Sequence, residues 1–469
     1  METQNKKSIL RIPLLLLVGV VLFSFGVGAV SAADTSGNST IYVSTDGDDT
    51  WDGLSPVYNT TSGPKKTITN ATGTVTVNGT VYIAPGTYTE SGIVIDKDMT
   101  ITGENQKNTI INGQNSGHIF NILPGITVNI NNLTLTNNTA GNGGAIYNKG
   151  SLTVTNCTFT NNSAYSNTGG GAIYTNGGSL SVTNCTFTNN SAANGGAIYN
   201  TGGSLTVINS TFTNSYASFF GGAIYNKGGS LTGSLTVINC TFTNNSAYSN
   251  TGGAIYNDGG SLAVTNCTFK NNSANRDDGG AIFNNNGSLT VMNCTFTNNS
   301  ADYGGAIYNN GSLTVMNCTF TNNAALYRGG AIYTIVFGGP NVVVHFNRIV
   351  GNSPSNSQIH SDSGIVDAKL NWWGSNLNPS AYVSNGPNGV VDVSSWLVLN
   401  IIADPANVLN GGNSTVSVDL LHDNTGAYHD PVNGHVPDGI VVDFAGDLGK
   451  PVSAVLVNGS ATYLFKATT

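Results

Sequence analysis

Charge is what this sequence has least of. Of 469 residues, 9% are Asp, Glu, Lys or Arg, against roughly 25% in an ordinary soluble protein. Glu occurs only at Glu2, Glu90 and Glu104, a thin supply for acid–base chemistry. Lys and Arg number 16 against 24 acidic residues, for a net charge of −8, so the cationic footprint that nucleic acid binding requires is missing. After Val30 no apolar run approaches the ~20 residues of a membrane-spanning helix. The six cysteines lie 24 to 55 residues apart, unlike the close spacing of metal or redox motifs. Disorder is excluded too, because 39% of the residues are hydrophobic and disordered chains are poor in them. Charge is replaced by 66 Asn and 60 Gly, with Ser and Thr. Such a composition suits an exported, repetitive scaffold better than a large soluble enzyme.

Lys6, Lys7 and Arg11 precede a neutral, mostly apolar stretch from Ile12 to Val30, followed by Ser31-Ala32-Ala33. Basic start, apolar centre and small-residue cleavage site are the parts of a secretory signal. Residues 1–33 are therefore expected to be a signal peptide. The apolar stretch is also just long enough to remain as an uncleaved anchor.

The rest is dominated by a repeat. Gly-Gly-Ala-Ile occurs eight times, starting at Gly143, Gly170, Gly195, Gly221, Gly252, Gly279, Gly304 and Gly329, at intervals of 25 to 31 residues. Between these lies a second recurring segment, such as Ser151-Leu152-Thr153-Val154-Thr155-Asn156-Cys157-Thr158-Phe159. Leu152 and Val154 alternate with polar residues as a half-buried strand does. Cys157 and Phe159 alternate in the opposite parity, so the chain must bend at Thr155-Asn156, where Asn tolerates left-handed backbone. Two strands meeting at a bend, a polar Asn/Ser/Gly loop and a third strand at Ala145-Ile146-Tyr147 make one turn of a coil. One turn cannot bury its apolar face; stacked turns ~4.8 Å apart can. From Thr80 to Leu370 this predicts about eleven turns and a rod ~50 Å long. In the third strand Ile146 is expected to point inward, because an inward Tyr147 needs a buried partner for its hydroxyl. A leucine-rich repeat has a similar period, but it needs an apolar residue where Lys149 stands, and Asn161-Asn162-Ser163 makes a poor helical return. A calcium-binding β-roll is excluded because no Asp follows the glycine pair.

The Gly-Gly-Ala-Ile and Phe159-Thr160-Asn161-Asn162 motifs resemble the repeats of chlamydial polymorphic outer membrane proteins. The whole arrangement resembles the adhesin-like surface proteins of methanogenic archaea. Ile41-Tyr42-Val43-Ser44, Val81-Tyr82-Ile83-Ala84-Pro85-Gly86-Thr87-Tyr88 and Asn371-Trp372-Trp373-Gly374 carry the likeness over residues 41–375. It implies an all-β fold: a right-handed, single-stranded parallel β-helix of pectin-lyase type at 80–375, behind an N-terminal cap region at 34–79. A capping helix is implied between the first two segments, where this sequence is Thr- and Gly-rich (Thr67 to Thr80). Residues 376–394 read as a linker. Residues 395–469 show strand-like alternation at Val416-Val418-Leu420 and Val455-Leu456-Val457, and resemble a bacterial immunoglobulin-like β-sandwich, expected to be incomplete at ~75 residues against ~100.

Chemistry has few places to sit. Nine charged residues fall between Ala140 and Gly330. One cluster precedes the glycine pairs: Asp277, Asp302 and Tyr327 in one aligned column, Asp278, Tyr303 and Arg328 in the next, with Arg276 nearby. It reads as a solvated loop edge or as a carboxylate pair of the kind glycosidases use. Asp48-x-Thr50-x-Asp52-Gly53 resembles the start of a calcium loop, but Asn59 stands where its Glu belongs. Cys157, Cys185, Cys240, Cys267, Cys294 and Cys318 share one repeat slot, with Ser210 in the seventh. They read as a buried thiol ladder, although three neighbour bridges are also compatible with the spacing. Asn156 and its equivalents are expected to form an amide ladder. Asn161 and Asn298 begin glycosylation sequons on outward loops. His429 and His435 lack a third ligand and are assigned no role. The expected function is an exported, non-catalytic, adhesin-like rod, without cofactor or metal, that contacts glycans or proteins of other cells and not nucleic acid. The rival readings are a polysaccharide lyase or glycoside hydrolase on the same fold, and a purely structural envelope protein.

Overall fold

The parity switch after Val154 is made by Asn156, whose φ is +53°. A second left-handed Asn, Asn161 at +55°, bends the chain again five residues later. In the computed structural model, which describes residues 39–228, 233–336, 342–445 and 452–467, these bends recur turn after turn. The expected signal peptide at 1–33 lies outside the described residues.

One turn consists of four strands: Ile146–Asn148, Ser151–Thr155, Thr158–Thr160 and Ser163–Ala164. Each pairs in parallel with its counterpart in the next turn: Ile146 with Ile173, Leu152 with Leu180, Phe159 with Phe187, Ser163 with Ser191. The Phe position builds an 11-stranded sheet, one strand per turn, so the fold is a parallel β-solenoid of about the expected length. The first two positions form one 22-stranded sheet, joined where Ile282–Met292 and Ile307–Met316 run through both. The fourth strand corrects the sequence reading, which made the Asn/Ser segment a loop. It belongs to an 8-stranded sheet, because in-register neighbours supply pairing partners whatever the local propensity.

Ile146, Val154, Cys157 and Phe159 are fully buried, and the Phe rings stack with centroids 4.7 to 4.9 Å apart. The six thiols are free and buried. Each contacts the next turn: Cys157 N–H donates to Cys185 Sγ at 3.4 Å, and Ser210 Oγ continues the column by accepting from Cys185 N–H at 3.1 Å. Burial raises the Cys157 and Cys294 pKa well above the usual thiol value, which makes these sulfurs unreactive.

The expected amide contacts form at two places on the exposed bend: Asn156 Nδ2 donates to Asn132 Oδ1 at 3.3 Å and Asn239 Nδ2 to Asn209 Oδ1 at 3.1 Å. A longer ladder, which the sequence reading did not name, lies inside. The buried ladder is formed by the second Asn of Phe-x-x-Asn. Asn162 Nδ2 donates to Leu135 O at 3.0 Å and to Asn190 Oδ1 at 3.1 Å, and the pattern continues from Asn245 through Asn272, Asn299 and Asn323 to Asn352. A second interior ladder joins Asn200, Asn226, Asn257, Asn284 and Asn309 at 2.8 to 2.9 Å.

The implied capping helix is present. It spans Ile68–Thr74, with Thr67 accepting from Asn70 N–H. Poor helix formers hold here because Glu90 accepts from Ile68 and Thr69 N–H at 2.7 and 2.9 Å, and because Ile68 and Ala71 bury against the coil core. At the other end, the segment expected as a linker contributes the strand Val383–Asp392, which pairs in parallel with Ile359–Asp367. Residues 395–469 form two small antiparallel sheets, Leu397–Asp404 with Asn413–Asp423 and Ser460–Lys466, and Val441–Phe444 with Val452–Val455. Leu397, Val418, Leu420 and Leu456 pack there with Phe346 and Trp372 of the last turns.

Gly143 has φ +61°, and a Cβ placed on it would lie 2.2 Å from Ile146 O. Gly143→Val is therefore expected to lower the unfolding free energy from urea titration by at least ~2 kcal/mol more than Ile146→Val, which removes one buried methylene for about 1 kcal/mol; equal losses would contradict this register. Thiol titration without reductant is expected to find six reactive groups after unfolding and almost none before it, whereas bridged cysteines would leave none in either state.

Candidate functional site

Ile146 points inward and Tyr147 outward, as expected. What the single repeat does not reveal is that outward tyrosines bury one another. Tyr147, Tyr174, Tyr199, Tyr225, Tyr256, Phe283, Tyr308, Tyr333 and finally His360 form a continuous stack with centroids 4.6 to 5.3 Å apart. The signal was present in the aromatic residue that follows every Gly-Gly-Ala-Ile, Tyr in seven repeats and Phe283 in one, but the hydroxyl argument hid it: these hydroxyls need no inward partner because the rings lie on the outside of the coil.

The residue before each glycine pair borders this ladder. Phe220 stacks on Tyr256 at 4.8 Å, and Tyr303 lies 5.1 Å from Tyr333. Between these two turns the column carries Asp278. The structure pairs Asp278 with Tyr303 and Tyr303 with Arg328, as the aligned columns predicted. Asp302 N–H donates to Asp277 O at 2.8 Å, and Tyr327 stands 5.1 Å from Tyr303. Three carboxyls thus gather on two adjacent turns. Burial, then Asp277 and Asp302, push the Asp278 pKa up to about 8. Burial, then Asp302, also raise Asp277. Asp278 therefore holds a proton at neutral pH, the state required of a general acid.

On the same edge, aromatic side chains face solvent. Tyr165 and Tyr248 are 75% and 43% exposed, and Tyr327 is 55% exposed. Tyr165 and Tyr248 occupy one slot, each donating its N–H to the Ala one turn earlier, Ala140 and Ala217. Arg276 lies 5.3 Å over the Tyr248 ring. Tyr216 and Phe219 add exposed rings on the turn between.

The other sequence candidates do not converge. Asp48 accepts from Thr50 N–H and Oγ1 at 2.8 and 2.7 Å. Asp52 accepts from Leu54 N–H and Ser62 Oγ at 3.0 and 2.6 Å. Both carboxylates close their own turns, so the partial calcium motif is an Asx-rich loop. His429 contacts Asp423, and His435 faces Asp438. Among the described residues no three His, Cys, Asp or Glu side chains come together as a metal cage, and no helix is long and apolar enough to cross a membrane.

Residues 231–372 match a family model described as the right handed beta helix region. Residues 132–149, 156–176 and 184–201 match the Chlamydia polymorphic membrane protein repeat. Together with the stacked parallel turns they support a right-handed β-helix. No curated protein matches it. Among solved structures it is similar to a rhamnogalacturonan lyase, at 13% identity and TM-score 0.31 over 76% of this chain and 86% of that one. It is similar to the catalytic domain of an α-1,3-glucanase in complex with tetrasaccharides, at 14% and 0.40 over 77% and 69%. It is also similar to XylC in complex with xylose, at 9% and 0.36 over 86% and 91%. The expectation that the chain is not an enzyme does not stand. That expectation rested on scarcity of charge, and three of the four carboxyls between Ala140 and Gly330 lie together at Asp277, Asp278 and Asp302.

The Asp278 pKa sets a pH dependence. A carboxyl raised from 3.8 to about 8 in the folded protein contributes stability that is full below pH ~4 and lost as pH rises toward ~8. Asp278→Asn is expected to flatten the fall in melting temperature between pH 4 and 8; an unchanged slope would refute the assignment.

Proposed function

We propose that the chain is an exported, adhesin-like surface protein whose β-helical rod holds glycans of other cells along its loop edge. The observation that carries this is the group of solvent-facing rings on the loop edge, Tyr165, Tyr216, Phe219, Tyr248 and Tyr327, on a scaffold of stacked strands. Exposed aromatic groups of this kind mark surfaces that something covers, and flat apolar rings with polar tips suit the mixed faces of sugars. In this reading residues 1–33 export the chain, the exposed sequon residues Asn161 and Asn298 accept glycans in a host that attaches them, and the C-terminal sheets belong to an immunoglobulin-like module.

A second reading is supported by one specific observation, the protonated Asp278 beside Asp277 and Asp302: a glycan-cleaving site, with Asp278 donating a proton to the leaving oxygen. A glycan array followed by product analysis separates the two. Binding that Tyr248→Ala and Tyr327→Ala each weaken about tenfold, or ~1.4 kcal/mol, without a change in melting temperature, supports the first reading. Shortened glycans from the wild type and none from Asp278→Asn support the second. Neither binding nor products would refute both.

A further inference from the structure

The aromatic ladder ends in a polar relay. His360 is fully buried and stacks on Tyr333 at 5.0 Å. In the next turn Ser384 takes the same position, since the two last strands pair His360 with Ser384. Ser384 Oγ lies 2.7 Å from His360 Nδ1. Ser357 Oγ contacts Ser384 Oγ, and Gly329 N–H donates to Ser357 Oγ at 3.2 Å.

Gly329 N–H donates to Ser357 Oγ, while either hydroxyl can donate in the Ser357–Ser384 contact. In the tautomer that carries its proton on Nε2, toward Asp362 Oδ1 at 3.7 Å, His360 Nδ1 accepts from Ser384 Oγ. Burial, and then the Arg328 guanidinium, hold the His360 pKa below its ordinary value, so the ring is neutral and its Nδ1 lone pair is available at neutral pH. Among the described residues Val383–Asp392 is the last strand of the coil and pairs on one side only, with Ile359–Asp367, and Ser384 is partly exposed. A ligand can therefore approach the hydroxyl from the end of the rod.

We propose that Ser384 is a nucleophilic serine, with His360 as its base and Asp362 behind the base, acting on carboxylic esters such as O-acyl groups. Nucleophile, base and orienting acid stand in the order that acyl transfer requires, whereas attack on a glycosidic carbon is the work of carboxylates. Ser384 Oγ adds to the ester carbonyl carbon as its proton passes to His360 Nδ1. The tetrahedral adduct collapses by breaking the bond to the alkoxy oxygen, and the alcohol leaves with the proton from Nδ1. Water then adds to the acyl-serine, gives a proton to Nδ1, and releases the acid as that proton returns to Ser384.

The full chain treated with a fluorophosphonate probe and digested for mass spectrometry should carry a single adduct, on Ser384, that is absent from Ser384→Ala. Hydrolysis of p-nitrophenyl acetate should fall about 100-fold in Ser384→Ala and in His360→Gln. The wild-type rate should rise through a single ionisation below 6.5, the ordinary His value. Ser384→Ala removes one oxygen and leaves the ring stack intact, so its result is readable even where His360→Gln disturbs the ladder end. A folded wild type that takes up no probe, or a Ser384→Ala protein that hydrolyses the ester at the wild-type rate, overturns the assignment and leaves Ser384 as a cap on the stack.

Discussion

The constraint on which the rest depends is that each residue lies over its own counterpart in the next turn, ~4.8 Å away. Stacking like on like decides which side chains the repeat can use. Apolar groups gain at every layer, and rings stack face to face, as Phe159 does on Phe187 with planes 3° apart. Amides gain too, since each carries both donors and an acceptor and passes a hydrogen bond along the axis. Unit charges do not gain. Two like charges ~4 Å apart cost about 1 kcal/mol in bulk water and about 4 kcal/mol at the effective dielectric of a protein surface. A charge written into the repeat would pay that at every turn, and this accounts for a chain that is 9% charged.

The same rule explains which parts were legible from sequence. The number of turns, the inward Ile146, Leu152 and Phe159, the left-handed Asn156 and the thiol column all follow from alignment of the repeats, because register is a property of the repeat. The Ser163–Ala164 strand was missed because its pairing comes from neighbours and leaves no local signature in two small residues. The Asn162 ladder was missed because one Asn of a pair looks like the other until burial separates them. The mutual burial of the tyrosines was missed because it needs eight adjacent turns, none of which encloses a ring by itself. The capping helix was implied by resemblance and not by local propensity for a related reason: it rests on Glu90, which accepts from Ile68 N–H 22 residues away.

The candidate acidic site was legible as a position and not as a chemical state. Alignment placed Asp277, Asp278 and Asp302 side by side, but not which of them is enclosed. Asp278 stands in a column that carries Thr251 one turn before it and Tyr303 one turn after it, and its burial there is what keeps its proton on. Placing like charges on adjacent turns breaks the rule that governs the rest of the rod, and Tyr308 shares the consequence, its hydroxyl pKa raised by burial and then by Asp278.

In a stacked coil, then, reactive side chains belong where stacking is interrupted. Two kinds of interruption are available. One is a loop edge, where the strand ends and a residue no longer has to match its neighbour; Asp278, Arg328 and the exposed rings stand there. The other is the end of a column. Both histidines that touch the tyrosine ladder stand at its ends, His118 at 5.3 Å from Tyr147 and His360 at 5.0 Å from Tyr333. A titratable ring in the middle of the ladder would lie between two copies of itself and meet the like-charge penalty whenever it took a proton. At an end it meets a tyrosine on one face and a residue free to differ on the other. That freedom is what allows Ser384, and no aromatic side chain, to follow His360.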